Sequence, residues 1–423
     1  MADVIIIGGG PAGSMTGSYL SKAGVDNLII EKVMHPRRHI GESMVPSTTR
    51  NFDDIGFLPV MERENFPKKY GAAWHPTSAK GEVSIVFAEF PQPGVDQDYT
   101  YHVDRGRLDH LLLQHAKSLG SKVVQGATVK EVLFDDDDYA CGVRVEIEGQ
   151  TMDIPAKMVI DCSGRSTILG GQRGLRIKDP LFNQFAVSTW FENVHRGDNP
   201  ETADYIHIYF LPIARGWVWQ IPITDTITSV GVVAAREVFK QSAQRKEEWF
   251  WEMVAKSPDL VKALEPAKQV DEFWTEADYS YKMERFVGNG WMLLGDAARF
   301  VDPIFSSGVS IACESARYAS ELIVKALETG DRSEEALQPY EDRVKAGVGI
   351  WYEFIRLYYK LMHLFTFFIQ SKEYRQQIHA LLQGEVYDRS EAPVLEAMRN
   401  IIKTVESTPG HLWAPYLTDM PVD

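Results

Sequence analysis

A glycine-rich turn at the amino terminus constrains the fold of this chain more than any other feature. Gly8, Gly10 and Gly13 follow an apolar run from Val4 to Ile7 and precede a stretch of small and apolar residues. Gly8 permits a tight turn, Gly10 lets the backbone approach a pyrophosphate, and Gly13 lets a helix pack on a strand. A second apolar run ends in Glu31, where a carboxylate can accept hydrogen bonds from a ribose. The sequence therefore predicts a βαβ unit that binds a dinucleotide.

A second acidic motif lies far along the chain from the first. Gly295 and Asp296 follow a short apolar run and precede a long stretch with helical periodicity. Asp296 could simply cap that helix, because aspartate is a good N-cap residue. In a chain that already has the amino-terminal unit, it is better explained as a contact to the ribityl chain of a flavin. Two such elements on one chain predict FAD rather than NAD.

Composition excludes several other classes of protein. The 44 Lys and Arg against 59 Asp and Glu give a net charge of −15, which disfavours nucleic-acid binding. The same charge would repel an acidic carrier protein unless the protein surface has a local basic patch. The most apolar stretch, Trp351 to Gln370, is interrupted by charged residues, so we expect no contact with a membrane. No secretory leader is visible, and the three cysteines are far apart. These features predict a cytoplasmic enzyme without disulfides.

The order of the apolar runs predicts an α/β fold with interleaved domains. A Rossmann-like FAD-binding domain alternates along the chain with a substrate domain built on a mixed or antiparallel sheet, and a helical region follows. The predicted FAD segments are approximately 1–80, 100–170 and 285–330, the substrate sheet is approximately 80–100 and 175–285, and the helical carboxy-terminal region is 331–423.

Three motifs together resemble the flavoprotein monooxygenase superfamily, which has the aromatic-hydroxylase fold. They are Gly8-x-Gly10-x-x-Gly13, Asp161-Cys162-Ser163-Gly164 and Gly295-Asp296. Three further motifs resemble those of the flavin-dependent halogenases within that superfamily, and the match covers residues 1–330. They are Gly41-Glu42-Ser43-Met44-Val45-Pro46, Trp217-x-Trp219-x-Ile221-Pro222 and Phe300-x-x-Pro303-x-x-Ser306-x-Gly308.

The resemblance implies a two-component reaction. A separate flavin reductase supplies FADH2, which with oxygen and chloride or bromide yields hypohalous acid. The acid travels to a lysine that holds it by a hydrogen bond or as a haloamine, and an electron-rich aromatic ring is then halogenated. The register of the family motif assigns this role to Lys69, whereas the adjacent Lys68 should point the other way on an extended segment. The alternative for either residue is an ordinary surface lysine.

The resemblance also implies which residues contact FAD. The predicted set consists of Gly8, Gly10, Pro11, Ala12, Gly13, Glu31, Lys32, Arg38, Gly41, Ser43, Arg105, Asp296, Pro303 and Gly308.

Halide binding has a physical rationale at the turn of Ser306, Ser307 and Gly308. Consecutive backbone N–H groups at the start of a helix attract an anion, and the helix dipole adds to that attraction. A plain cap by Ser307 is the alternative, and the same amides could serve both purposes.

The tryptophan segment indicates that substrate is kept away from the flavin. Alternation along a strand places Trp217 and Trp219 on one face, where with Ile221 and Pro222 they could form the wall of a tunnel. Two indoles on one face also fit an ordinary sheet core. The wall hypothesis predicts that both tryptophans lie between the flavin and Lys69.

One departure from the family bears on the substrate. Tryptophan-type halogenases carry a glutamate at the position of Phe305, so its absence favours the phenol or pyrrole branch, with the ring free or tethered to an acyl or peptidyl carrier protein. An aromatic hydroxylase and, less well supported, a flavin-dependent reductase remain alternatives. The histidines His102, His207 and His363 are isolated in sequence, so no metal site is predicted. The aromatic residues in the 350s and 360s are best explained as the core face of a helix.

Overall fold

Two eight-stranded sheets and a set of helices organise the chain. The computed structural model describes residues 2–77, 81–91, 98–277, 280–387 and 392–422. Its strands are β1 (Ala2–Ile7), β2 (Asn27–Glu31), β3 (Lys68–Lys69), β4 (Gly71–His75), β5 (Val83–Val86), β6 (Thr100–Tyr101), β7 (Lys122–Gln125), β8 (Ala127–Phe134), β9 (Ala140–Ile147), β10 (Gln150–Asp161), β11 (Arg176–Lys178), β12 (Gln184–Glu192), β13 (Ile206–Phe210), β14 (Trp217–Pro222), β15 (Ile227–Ala235), β16 (Lys268–Gln269), β17 (Trp274–Ala277), β18 (Tyr281–Met283), β19 (Val287–Gly288), β20 (Trp291–Leu293) and β21 (Arg299–Phe300).

The helices connect and cover the strands and form the carboxy-terminal region. They are α1 (Pro11–Lys22), α2 (Pro46–Asp54), α3 (Leu58–Glu64), α4 (Arg105–Leu119), α5 (Ile168–Gln172), α6 (Arg236–Ser242), α7 (Lys246–Val254), α8 (Pro258–Leu264), α9 (Ser307–Thr329), α10 (Glu334–Lys360), α11 (Phe365–Gln370), α12 (Arg375–Leu382) and α13 (Pro393–Ser407).

The first sheet is the predicted βαβ unit extended on both sides. Six of its strands follow the order β19-β20-β10-β1-β2-β7, and β9 and β8 are joined to it through β10. β1 runs parallel to both β2 and β10. Val4, Ile5 and Ile6 are fully buried, as expected for a central strand of a parallel sheet. The α/β class, the Rossmann-like unit and the helical carboxy-terminal region are all confirmed.

Seven strands of the second sheet follow the order β16-β12-β15-β14-β13-β4-β5, and β17 also pairs with β12. Its long strands pair antiparallel. The sheet begins at Gly71, earlier than the boundary near residue 80 that the sequence indicates, because β4 pairs in parallel with β13 far along the chain. Part of the predicted segment 80–100, residue 80 and residues 92–97, lies outside the described residues.

The aromatic stretch in the 350s and 360s forms a helix core, as predicted. Trp351, Phe354, Tyr358 and Phe365 are fully buried. No helix among the described residues is both long enough and apolar enough to cross a membrane.

Candidate active site

A cavity of about 470 Å³ lies where the glycine turn, the carboxyl ends of the first sheet and strand β14 meet. Most of the predicted site residues line it. Those that do are Gly8, Gly10, Pro11, Ala12, Glu31, Lys32, Arg38, Gly41, Ser43, Arg105, Asp296, Pro303, Ser306, Gly308, Trp217, Trp219 and Ile221. Those that do not are Gly13, Lys69, Ser307 and Pro222.

The glycine turn at one end of the cavity has the tight geometry that its spacing predicts. Gly8 has a φ of +101°, and a Cβ there would lie 2.5 Å from the carbonyl oxygen of Cys162. A Cβ on Gly13 would clash with the carbonyl oxygen of Gly8, so Gly13 packs inside the turn and does not face the cavity. Helix α1 begins directly after Gly10, which places its unpaired N–H groups at the cavity wall.

Glu31 is held in place at the end of β2. Its carboxylate accepts hydrogen bonds from the N–H groups of Gly9, at 2.7 Å, and Val33, at 2.9 Å. Both oxygens are thereby oriented before any ligand binds. A carboxylate fixed in this way can accept further hydrogen bonds from the hydroxyl groups of a ribose.

Four arginines supply positive charge along the cavity, namely Arg37, Arg38, Arg105 and Arg165. Arg105 donates to the carboxylate of Asp109 at 2.9 Å and to the carbonyl oxygen of Ile40, also at 2.9 Å. Arg38 lies over the rings of Trp190 and Trp274, at 4.8 Å from each centroid. Arg37, which sequence reasoning missed, also lines the cavity, and its guanidinium is the nearest group to a Cβ placed on Gly10. Its position beside Arg38 in the sequence was the available signal.

Two buried aspartates close the carboxyl ends of β10 and β20. The carboxylate of Asp161 accepts hydrogen bonds from the N–H groups of Ser163, at 2.9 Å, and Leu169, at 2.8 Å, so it stabilises its own turn. Asp296 faces the cavity, and burial raises its pKa to about 6. Asp296 is therefore the carboxyl group on this edge that is placed to contact a ligand.

The turn before helix α9 presents fewer free amides than its sequence suggests. Ser306 has a φ of +57°, and its N–H donates to the carbonyl oxygen of Pro303 at 3.0 Å. Helix α9 begins at Ser307, so the N–H groups of Ser307 and Gly308 have no acceptor within the helix. An anion at this turn would be bound by those two amides rather than by three.

The tryptophan segment forms one wall of the cavity. The rings of Trp217 and Trp219 lie on the same face of β14 with centroids 5.9 Å apart, and Ile221 continues that face. Pro222 lies on the opposite face, as strand alternation requires, and does not contribute to the wall. The ring of Trp219 covers Gly231 on the neighbouring strand so closely that no Cβ could be accommodated there.

Each tryptophan is fixed by a hydrogen bond from its indole nitrogen. Trp219 donates to the hydroxyl of Ser229 at 3.1 Å. Ser229 and Trp190 in turn hydrogen-bond the buried carboxyl of Glu42, and burial raises the pKa of that carboxyl. This chain of contacts links the wall to the Gly41-Glu42-Ser43 loop.

Trp217 leads to a second buried carboxyl. Its indole donates to the hydroxyl of Tyr359 at 2.9 Å, and Tyr359 donates to Asp302 at 3.0 Å. Burial raises the pKa of Asp302 to about 7. The contact joins helix α10 to the loop before Ser306, and because it spans 57 residues of sequence, sequence reasoning missed it.

Lys69 lies just beyond the cavity, behind Ser43. Its Nζ donates to the Ser43 hydroxyl at 3.0 Å and to the Met44 carbonyl oxygen at 2.8 Å. Burial lowers the pKa of Lys69 to about 7. Lys68 points the other way, toward Glu62 at 3.2 Å, as alternation along β3 predicts.

The residues around the cavity fit a bound FAD. Helix α1 offers unpaired amides for a pyrophosphate, Glu31 is oriented for a ribose, and Asp296 is a buried carboxyl facing the cavity at the opposite sheet edge. Arg37 and Arg105 add positive charge between them. The lining therefore matches the charges of a dinucleotide.

Asp302 makes a pH-dependent contribution to stability that can be measured. Its folded-state pKa of about 7 exceeds the ordinary value of ~3.9, so between these values the folded chain holds a proton that the unfolded chain releases. This contribution is fully present below pH ~4 and is lost as pH rises through 7. In thermal unfolding at pH 5 and pH 8, the stability of wild type relative to Asp302→Asn should fall by about 2–4 kcal/mol over that interval. An unchanged difference would show that Asp302 titrates normally.

Comparisons with known proteins give a consistent picture. The model of the "FAD binding domain" family matches residues 1–348. A 1H-pyrrole-2-carbonyl-[peptidyl-carrier protein] chlorinase of Pseudomonas fluorescens is 49% identical, over 99% of this chain and 97% of its own. The corresponding brominase of Pseudoalteromonas luteoviolacea is 30% identical, over 91% of this chain and 92% of its own. The solved structure of the flavin-dependent brominase Bmp2 superimposes with a TM-score of 0.87 at 29% identity, over 96% of this chain and 99% of that one.

Proposed function

Since this chain belongs to the FAD-binding-domain family and, within it, to the flavin-dependent halogenases, we propose that it chlorinates a pyrrole-2-carbonyl group carried on a peptidyl carrier protein. The observation that carries this proposal is the 49% identity to a chlorinase of that substrate, which extends over nearly the full length of both chains. Phe305 supports it, because a pyrrole is electron-rich and needs less help from a carboxylate than a less activated ring would.

FAD is held, in this proposal, by the glycine turn, Glu31, Arg105 and Asp296. Reduced by a separate flavin reductase, it supplies hypohalous acid from dioxygen and chloride. The contribution of the chain at this stage is to bind the halide at the Ser307 and Gly308 amides and to exclude water. The start of the 23-residue helix α9 favours an anion there.

Lys69 acts, in this proposal, as a neutral amine. A protonated amine at this position would be buried beside two uncharged acceptors, the Ser43 hydroxyl and the Met44 carbonyl. A neutral amine donates its two hydrogens to those acceptors and keeps its lone pair free. The lowered pKa makes this form abundant near neutral pH.

The lone pair of Lys69 then accepts the halogen. An N–Cl bond forms as the Cl–O bond of hypochlorous acid breaks, and the departing hydroxide takes one amine proton to leave as water. The pyrrole carbon next attacks chlorine, the electrons of the N–Cl bond return to nitrogen, and the ring proton is transferred to it. Lys69 is regenerated as the amine.

The tryptophan wall bounds one side of the cavity that would hold FAD, because Trp217 and Trp219 line it. The link from this cavity to Lys69 runs through Ser43, which lines the cavity and accepts a hydrogen bond from the Lys69 amine. In this proposal hypochlorous acid passes beside Ser43 to Lys69, and the two indoles leave less room for a pyrrole ring beside the flavin. The wall then favours halogenation over direct transfer of oxygen, and the position of both tryptophans between the flavin and Lys69 stays a prediction.

The substrate proposal is tested by offering the same ring in two forms. The protein, FAD, a flavin reductase, NADH and chloride are incubated with pyrrolyl-loaded carrier protein or with free pyrrole-2-carboxylate. We expect chlorinated product on the carrier at a rate about 10²-fold or more above that on the free acid, because the carrier positions the ring. Equal rates on both forms would contradict tethering, and a hydroxylated product formed without halide would contradict halogenation.

A further inference from the structure

Two histidines and a glutamate that are far apart in sequence lie together at the end of the second sheet. Nε2 of His75 is 2.9 Å from Nδ1 of His207, and Oε2 of Glu82 lies 4.0 Å and 3.9 Å from these two nitrogens. The three side chains belong to β4, β13 and the residue before β5. This cluster lies outside the cavity and plays no part in the proposed reaction.

The sheet register accounts for the meeting of these side chains. β13 runs parallel to β4 with His207 opposite Ala73, which places His207 and His75 diagonally on one face. β5 runs antiparallel to β4 with Val83 opposite Trp74, so Glu82 is brought across from His75. No local sequence pattern indicates this contact, because 132 residues separate the two histidines.

Thr202 orients two of the three groups toward a common point. Its carbonyl oxygen accepts the Nε2 hydrogen of His207 at 2.9 Å, which leaves the lone pair on Nδ1 facing His75. Its hydroxyl donates to Oε1 of Glu82 at 2.7 Å, which leaves Oε2 facing both rings. Such outer contacts are typical of metal ligands, because they fix the tautomer and direction of the ligand atom.

A neighbouring aromatic side chain also restrains the imidazole of His75. The ring of Tyr209 stacks on His75 at 4.1 Å and limits its rotation.

We propose that His75, Glu82 and His207 bind a divalent transition-metal ion of the zinc type. Zinc bonds of about 2.0–2.1 Å in a tetrahedral site place ligand atoms roughly 3.3 Å apart, so the observed separations of 2.9 to 4.0 Å need shifts below ~1 Å. Water completes the fourth position. Two imidazoles and one carboxylate suit zinc better than magnesium or calcium, which prefer oxygen ligands.

The ion would fasten the segment that carries Lys69. Lys69 lies six residues before His75, and the ring of Phe87, which follows β5, lies 5.6 Å from the Lys69 amine. A metal that joins β4, the start of β5 and β13 therefore restrains β4, which follows Lys69 in sequence, and β5, which precedes Phe87. Its role is structural, because His75, Glu82 and His207 do not line the cavity that would hold FAD.

Titration of the chelator-treated full-length protein with Zn²⁺ tests the site. We expect one ion per chain by calorimetry, a rise in the thermal midpoint on adding Zn²⁺, and slower hydrogen exchange in β4. Co²⁺ should produce the absorption bands of a tetrahedral N/O site. Absence of Zn²⁺ binding, or binding without added protection in β4, would overturn the proposal.

Variants decide whether these residues are the ligands. His75→Gln and Glu82→Gln should each weaken Zn²⁺ binding by about tenfold or more, and Thr202→Val by about 10- to 100-fold. His411→Gln, near the carboxy terminus, is the matched control and should bind as wild type does. Because His75 and Glu82 are partly exposed, both variants should fold, which circular dichroism can check. Wild-type affinity in the His75 and Glu82 variants would overturn the assignment.

Discussion

Replacing Lys69 with methionine should reduce chlorination by about 10²–10⁴-fold while leaving FAD binding unchanged. Lys69 is buried behind Ser43 and does not line the cavity, so its loss removes the proposed acceptor of the halogen without changing the lining of the cavity that would hold FAD. Methionine has about the length of the lysine side chain, and its thioether can pack against the nearby ring of Phe87. Product formation by intact-carrier mass spectrometry and FAD affinity by fluorescence are the two measurements.

Lys68→Met is the matched control for this variant. Lys68 lies on the opposite face of β3, beside Glu62 and over the ring of Tyr99 at 4.1 Å, so its loss should leave chlorination within about twofold of wild type. The pH profile adds a second test, because the neutral amine increases as pH rises. Chlorination should rise through pH 7, following the lowered pKa of Lys69. A rate that falls through pH 7 would instead favour a protonated lysine that donates a hydrogen bond.

Replacing Trp219 with alanine should both destabilise the protein and change its products. The ring is buried and covers Gly231, so removing it should cost about 3–5 kcal/mol of unfolding free energy. It also removes part of the wall that β14 of the second sheet contributes to the cavity. We expect halogenated product per reduced flavin consumed to fall roughly tenfold to a hundredfold, with hydroxylated product and hydrogen peroxide rising in its place.

Two further variants distinguish a change of products caused by the loss of the wall from one caused by lost stability. Trp251→Ala removes a partly exposed tryptophan of helix α7, outside the cavity, and should leave the product ratio unchanged. Trp217→Phe keeps an aromatic wall but removes the hydrogen bond to Tyr359, so it should alter stability more than products. An unchanged product ratio in a folded Trp219→Ala protein would contradict the wall hypothesis.

Local sequence patterns predicted the parts of this fold that depend on neighbouring residues. The glycine spacing predicted the turn at Gly8 and the packing of Gly13. Alternation alone placed Trp217 and Trp219 on one face. Applied consistently, the same alternation would have removed Pro222 from the predicted wall.

The remaining features arise from contacts between distant segments. The parallel pairing of β4 with β13 moves Gly71 into the second sheet and brings His75 to His207. The raised pKa of Asp302 depends on its burial beneath helix α10, where Tyr359 reaches it. Neither effect has a local pattern, because each is set by which strands and helices become neighbours after folding.

The haloamine is the central claim, and one measurement tests it directly. The protein is given reduced FAD, oxygen and chloride without pyrrole, separated quickly from small molecules, and divided into two portions. Digestion of the first portion should yield the Lys69 peptide with one chlorine in place of one hydrogen, recognised by its isotope pattern. The second portion, mixed with pyrrolyl-loaded carrier protein, should chlorinate it without further flavin or oxygen. A Lys69 peptide without chlorine, together with no transfer to the carrier, would contradict the account.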